Sequence, residues 1–154
     1  MSDTSDLLQR GAQRAEAEAL PYAGALTPEE AYALLRENPG ARLVDVRTRA
    51  EIDWVGRPDV PAEQYALVEW NRYPGGVRNT AFVDELGALV SPDTPVLLLC
   101  RSAARSKAAA AAASAAGFTQ VYDILEGFEG ERDANGHRKT VGGWCFRGLP
   151  WIGA

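Results

Sequence analysis

Leu97-Leu98-Leu99-Cys100-Arg101-Ser102-Ala103-Ala104-Arg105-Ser106-Lys107 is an apolar run that stops at a cysteine and passes into small and basic residues. With Pro95 and Val96 the run reads PVLLL, a near-continuous apolar strand. The Ala-rich stretch from Ser106 to Ala116, closed by Gly117, reads as a helix. Strand, short loop and helix in that order form the repeating unit of a parallel α/β sheet. In such sheets ligands sit beyond the carboxyl ends of the strands.

The loop suits a thiolate and an anion for one physical reason. Backbone N–H groups at a helix start have no intrahelical partners, and the helix dipole is positive there. A short loop of small residues can turn successive N–H groups inward. Arg101 and Arg105 add fixed positive charge. Together these features should populate the nucleophilic thiolate of Cys100. A free cysteine at the end of a core strand is by default a packing residue. Two Arg and two Ser within the six residues after it are costly unless they face an anion, so Cys100 is read as a nucleophile.

Outward from this loop, strands and helices alternate. Thr27-Pro28-Glu29-Glu30 is a helix start: Thr27 can accept from the backbone, Glu30 can reach back, and Pro28 suits the first helical position. That helix runs to about Glu37, and Asn38-Pro39-Gly40 ends it. Arg42 to Arg47 reads as a short buried strand ending in charge, Ala50 to Trp54 as a short helix and Tyr65 to Trp70 as a strand. Asn71 to Asn79 reads as a loop, Thr80 to Val90 as a helix and Val121 to Leu125 as a strand. The expected fold is α/β, a central mostly parallel sheet with helices on both faces. Residues 1–22 form an N-terminal helical extension, with a helix over 3–20 stopped by Pro21. Residues 23–154 form a single domain whose C-terminal tail is docked rather than separate.

Composition narrows the function. An apolar content of 46% against 24% charged residues excludes a composition-driven disordered chain. A net charge of −5 without a Lys/Arg run speaks against nucleic-acid binding, though not against a local anion site. Two cysteines are too few for a disulfide scaffold, and reduced thiols in the cytoplasm are the simpler reading. The longest low-polarity stretch, Ala108 to Ala116, is too short to span a bilayer, so no membrane association is expected. His137 is the single histidine and lies in a polar turn, so neither a metal cluster nor an imidazole base is expected, and no cofactor. Cys145 sits between Trp144 and Phe146 and reads as a packed thiol; the sharper alternative is a resolving cysteine.

The stretch from Cys100 to Ser106 resembles the active-site loop of rhodanese domains. Leu43-Val44-Asp45-Val46-Arg47, followed by Glu51, is similar to that family's other signature. The order of elements agrees over roughly residues 25–130, and the closing Gly-Gly-Trp and Gly-Leu-Pro-Trp resemble tails of some bacterial single-domain members. The resemblance implies a rhodanese-like fold and a sulfurtransferase, with Cys100 carrying sulfane sulfur as a persulfide. The donor would be a small anion such as thiosulfate, and the acceptor cyanide, a thiol or a protein thiol. Arg101, Ser102, Ala103, Ala104, Arg105 and Ser106 would bind the donor and the persulfide, with Ser102 and Ser106 adding hydroxyls or capping the helix. Asp45 and Arg47 are read as supporting residues, because buried charges need partners.

Two departures stand out. Ala103 occupies a position where many members carry Gly, and Ala accepts positive φ less readily. The loop is therefore expected either to differ slightly in shape or to hold Ala103 in an allowed region. Val55-Gly56-Arg57-Pro58-Asp59-Val60 replaces a familiar Gly-His-Ile-type segment, which alters the expected site wall. Two alternatives remain: a non-catalytic rhodanese-like module that binds a partner or senses redox state, and a phosphatase or arsenate reductase. Loops of the latter kind place their Arg one residue later, where this chain has Ser106, so the spacing favours sulfur.

Overall fold

Four consecutive apolar residues, Val96 to Leu99, have side chains that point alternately to opposite sides of a sheet, so both sides must be covered. In the computed structural model, which describes residues 4–153, they are. The N-terminal helix, expected from residue 3, has its first residue outside the described residues, as does Ala154 at the end of the tail.

The strands, in chain order, are β1 (Gly24–Leu26), β2 (Arg42–Asp45), β3 (Arg57–Pro58), β4 (Tyr65–Leu67), β5 (Asn71–Arg72), β6 (Val77–Arg78), β7 (Val96–Leu99), β8 (Val121–Ile124) and β9 (Trp151–Ile152). The helices are α1 (Thr4–Glu18), α2 (Pro28–Glu37), α3 (Arg49–Val55), α4 (Phe82–Leu89) and α5 (Ala104–Ala115). Five strands form one sheet in the order β1-β8-β7-β2-β4, and every neighbouring pair in it is parallel. The strand carrying Cys100 at its end is thus central, with β2 and β8 on either side.

The two faces are chemically distinct. Val96 and Leu98 pack with Val44, Val46, Phe82, Leu86, Ala109, Ala110 and Ala113 under α4 and α5. Leu97 and Leu99 pack with Leu7, Leu34, Leu43, Tyr122, Phe128 and Trp144 under α1, α2 and the tail. The alanines of α5 leave room for the helix to lie close to the sheet. The capping box at Thr27 is present in both directions, and a second one, Thr48 with Glu51, starts α3.

Several boundaries differ from expectation for identifiable reasons. The segment expected to run as one strand to Trp70 pairs with β2 only over 65–67. The chain then turns into the hairpin of β5 and β6, within the stretch expected to be loop throughout. α5 begins at Ala104 rather than Ser106, because the chain reverses at Ala103. In the tail Trp144 is fully buried, and β9 pairs antiparallel with β3.

α1 sits against β1 with almost no gap. A Cβ on Gly24 would lie 2.4 Å from the Gly11 backbone. Gly24→Ala is therefore expected to push α1 away and to lower stability by about 1–3 kcal/mol, measured by urea unfolding.

Candidate active site

The site is built where β7 ends. Cys100 is 1% exposed, and the chain turns sharply behind it. Ala103 adopts φ 82°, in the left-handed region, and serves as the residue preceding α5. That conformation aims the Ala103 N–H at Cys100 Sγ, 3.0 Å away. The Ser106 N–H, in the first turn of α5, donates to the same sulfur at 3.4 Å. Ser106 Oγ lies 3.4 Å from Cys100 Sγ. Of the loop residues singled out in the sequence, Ala103 and Ser106 therefore touch the sulfur directly. Ser106 does so from within the helix, not as its cap, and no side chain caps α5.

The loop is held from behind by a turn that only glycine fits. The Cys100 carbonyl accepts from the Phe128 N–H at 2.8 Å, and the Arg101 carbonyl from those of Glu129 and Gly130 at 2.9 and 3.1 Å. Gly127 has φ 70°, and a Cβ there would meet the Cys100 and Arg101 carbonyl groups at 2.5–2.6 Å. The backbone carbonyls thus face the turn, leaving the N–H side of the loop for the sulfur.

Arg105 projects toward α3 and forms a two-pronged ion pair with Glu51 at 2.6 and 2.7 Å. Burial alone would raise the Glu51 carboxyl, but the Arg105 guanidinium and the Thr48 donors outweigh it and hold it at about 2. Arg101 is exposed. Arg101, Arg105, Glu51, Trp54, Asn71 and Tyr73 are among the residues that line an open cavity of about 380 Å³ beside the loop. Trp54 and Tyr73 stand at its rim in an edge-to-face pair, 5.7 Å between centroids. Nothing in the sequence marks this aromatic rim or Glu51 as the partner of Arg105, since each is assembled from distant segments. Ser102 is half-buried, and Ala104 is exposed on the first turn of α5.

Asp45 and Arg47 are both fully buried and pair with each other. Asp45 accepts from Arg47 Nε at 2.9 Å and Nη2 at 2.7 Å, and from the Tyr65 hydroxyl at 2.8 Å. Arg47 also donates to the Gly56 carbonyl and lies 4.4 Å over the Phe128 ring. They stand behind the site rather than in it.

Asp123, on β8, carried no signal in the sequence reading. It is fully buried and accepts from Ser106 Oγ, the hydroxyl that also neighbours Cys100. Burial pushes its carboxyl up to about 7, against the lowering effects of Ser106 and Lys107. Cys145 is a free thiol that packs on the opposite face of the sheet from Cys100, and burial pushes it up to about 11. His137 is exposed in its turn. Among the described residues no group of three His, Cys, Asp or Glu is placed to hold a metal, and no helix is long and apolar enough to cross a membrane.

Two expectations follow from this geometry. A left-handed Ala costs about 1–2 kcal/mol, partly offset by the greater freedom glycine has when unfolded. Ala103→Gly should therefore raise stability by roughly 0.5–1 kcal/mol in urea unfolding. The Glu51 carboxyl lies lower in the folded chain than its ordinary 4.5. Its pairing with Arg105 is therefore fully stabilising above that pH and is lost as pH falls toward 2. Glu51→Gln should flatten this acid limb, by about 1–2 kcal/mol once screening at the partly exposed pair is allowed for, read as unfolding free energy at pH 6 against pH 3.

The family model described as the rhodanese-like domain matches residues 27–133. A crystal structure of Rv0390 from M. tuberculosis is 45% identical, with a TM-score of 0.78 over 85% of this chain and 98% of that one. The solution structure of a polysulfide-sulfur transferase homodimer from Wolinella succinogenes is 28% identical, with a TM-score of 0.60 over 94% of this chain and 87% of that one. An uncharacterised protein of Rickettsia conorii is 33% identical over 125 residues, 79% of this chain and 91% of its own length. With the all-parallel five-stranded sheet and the cysteine loop at its carboxyl end, the chain belongs to the rhodanese-like family.

Proposed function

We propose that this protein is a sulfurtransferase that moves sulfane sulfur from a small anionic donor such as thiosulfate to a thiophilic acceptor, through a persulfide on Cys100. The observation that carries the reading is the pair of backbone N–H groups, from Ala103 and Ser106, aimed at Cys100 Sγ. Donors fixed by the backbone stabilise negative charge on sulfur without having to reorganise when the charge appears. The name of the 28% identical polysulfide-sulfur transferase from Wolinella supports the same class of chemistry.

In the first step the Cys100 thiolate attacks the outer sulfur of the donor. A Cys100–sulfur bond forms, the donor's S–S bond breaks, and sulfite leaves with the electron pair. In the second step cyanide or a thiol attacks the terminal persulfide sulfur, and the electron pair of the Cys–S–S bond returns to Cys100. The terminal persulfide sulfur carries the negative charge between the steps. The Ala104 and Arg105 N–H groups begin α5 and have no intrahelical acceptor, so they extend the cradle to a second sulfur atom. Arg101 is the exposed cation that draws the donor in. Arg105, with its fork on Glu51, contributes from the cavity wall. Ser102 lines the outer edge of the loop, and Asp45 with Arg47 supports the strand end beneath it.

Thiosulfate is expected to add the mass of one sulfur atom to the intact protein, and Cys100→Ser is expected to abolish the gain while leaving the far-ultraviolet circular dichroism unchanged. A folded wild-type chain that takes no sulfur from thiosulfate or from a polysulfide would sink the transfer reading and favour a non-catalytic binding or redox-sensing module.

A further inference from the structure

From Cys100 inward runs a line of three buried polar groups, Cys100, Ser106 and Asp123. Cys100 directly follows β7, Ser106 belongs to the first turn of α5, and Asp123 sits on β8. Ser106 and Asp123 have no exposed surface, and Cys100 has almost none. Ser106 Oγ is within hydrogen-bond reach of both Cys100 Sγ and Asp123 Oδ1, whereas Asp123 Oδ2 has no hydrogen-bond partner among the described residues.

A purely structural acceptor for Ser106 needs no charge. A carboxylate buried with one oxygen unpartnered is a costly choice for that task. It holds a proton readily instead, and burial places the Asp123 carboxyl near neutrality. The groups that bear on it are few: Lys107 of α5 and the Tyr22 phenol ahead of β1, itself pushed up to about 12 by burial and by Asp123, with Glu18 of α1 acting on that phenol.

Ser106 has one hydroxyl hydrogen to share between the two acids. When Asp123 is a carboxylate, that hydrogen points to Asp123, and Ser106 offers the sulfur only lone pairs, which favours S–H. When Asp123 carries a proton, it donates to Ser106 Oγ, and the Ser106 hydrogen turns to the sulfur, which favours the thiolate.

We propose that Ser106 and Asp123 form a proton relay behind Cys100, in which the thiol proton passes to Ser106 Oγ as the Ser106 proton passes to Asp123 Oδ1. The S–H bond breaks and an O–H bond forms on Asp123, with no change in the total charge of the buried group. The thiolate left behind accepts from the Ser106 hydroxyl, and the reverse transfer restores the thiol. Asp123 is a positioning residue, acting on sulfur through Ser106. The site thereby gains a proton acceptor without an imidazole, consistent with the exposed place of the single His137. This inference rests on Cys100 being the nucleophile of the sulfur-transfer reading.

The test is the rate of Cys100 alkylation by iodoacetamide from pH 4 to pH 10 on the full chain, followed on the Cys100 peptide by mass spectrometry. Two acids sharing a proton give two macroscopic ionisations in such a profile. Wild type should show both, and Asp123→Asn and Ser106→Ala should each lose one. An Asp123 coupled to the thiol by charge alone would also lose one ionisation in Asp123→Asn but keep both in Ser106→Ala. A single ionisation in wild type, or two surviving in either folded variant, overturns the relay. Should both variants fail to fold, the infrared carboxyl band of Asp123 in wild type decides: it should shift when Cys100 is alkylated, and an unmoved band overturns the relay. Sulfur uptake from thiosulfate, measured in parallel, separates the two ideas. Two ionisations without uptake sink transfer and keep the relay, whereas uptake with one ionisation does the reverse.

Discussion

The reversal of the chain immediately after Cys100 is the constraint on which the site depends. Ala103 makes it in a left-handed conformation, at φ 82°. That conformation brings both the Ala103 and the Ser106 N–H groups onto one sulfur. Its energetic cost falls on a residue that is itself buried, at 3% exposure, so the surrounding structure must enforce it. The enforcement comes from the opposite side of the loop. The turn at Gly127 to Gly130 takes up the Cys100 and Arg101 carbonyls and leaves the loop no freedom to unwind. The strain and the tight turn are therefore two halves of one device.

That turn is in turn fixed from β2. Phe128 packs beneath the Arg47 guanidinium, and Arg47 is held by Asp45, whose carboxylate also takes the Tyr65 hydroxyl. A fully buried ion pair is poor evidence for stability, because desolvation offsets most of the attraction. Its value here is geometric. It joins β2, β4, the end of α3 at Gly56 and the turn behind Cys100 through directional contacts that an apolar cluster of the same volume would lack.

Much of this was legible in the chain. The PVLLL run, the Thr27 capping box and the alternation of strands with helices place a parallel sheet and put Cys100 at its carboxyl end, and the described structure agrees. That Asp45 and Arg47 need partners follows from charge at a strand end; that each is the partner of the other is visible only in the structure. What escaped were features made by long-range closure. Glu51 stands in the sequence only beside the Asp45–Arg47 signature; that it caps α3 and also pairs with Arg105 depends on the local turn and on how α3 meets α5. Asp123 lies in an apolar strand where an inward carboxylate cannot be told from an outward one without the sheet's register. The Ala103 conformation was left open because no local pattern forces a left-handed alanine; only the turn at Gly127 does.

The position of Ser106 bears on the choice between sulfur and phosphate. A loop one residue longer would place an arginine there, facing a tetrahedral dianion. Here the side chain is a fully buried hydroxyl backed by the Asp123 carboxyl. Thiosulfate is a dianion too, so the difference lies at the inner end of the loop, where Ser106 sets a hydroxyl rather than a cation against the sulfur. A thiolate or persulfide carries a single charge, which two backbone N–H groups and one hydroxyl can balance. The buried acid behind Ser106 is suited to exchanging a proton with a thiol. The loop after β7 and the carboxyl on the neighbouring β8 therefore bear on the same sulfur through one hydroxyl, that of Ser106.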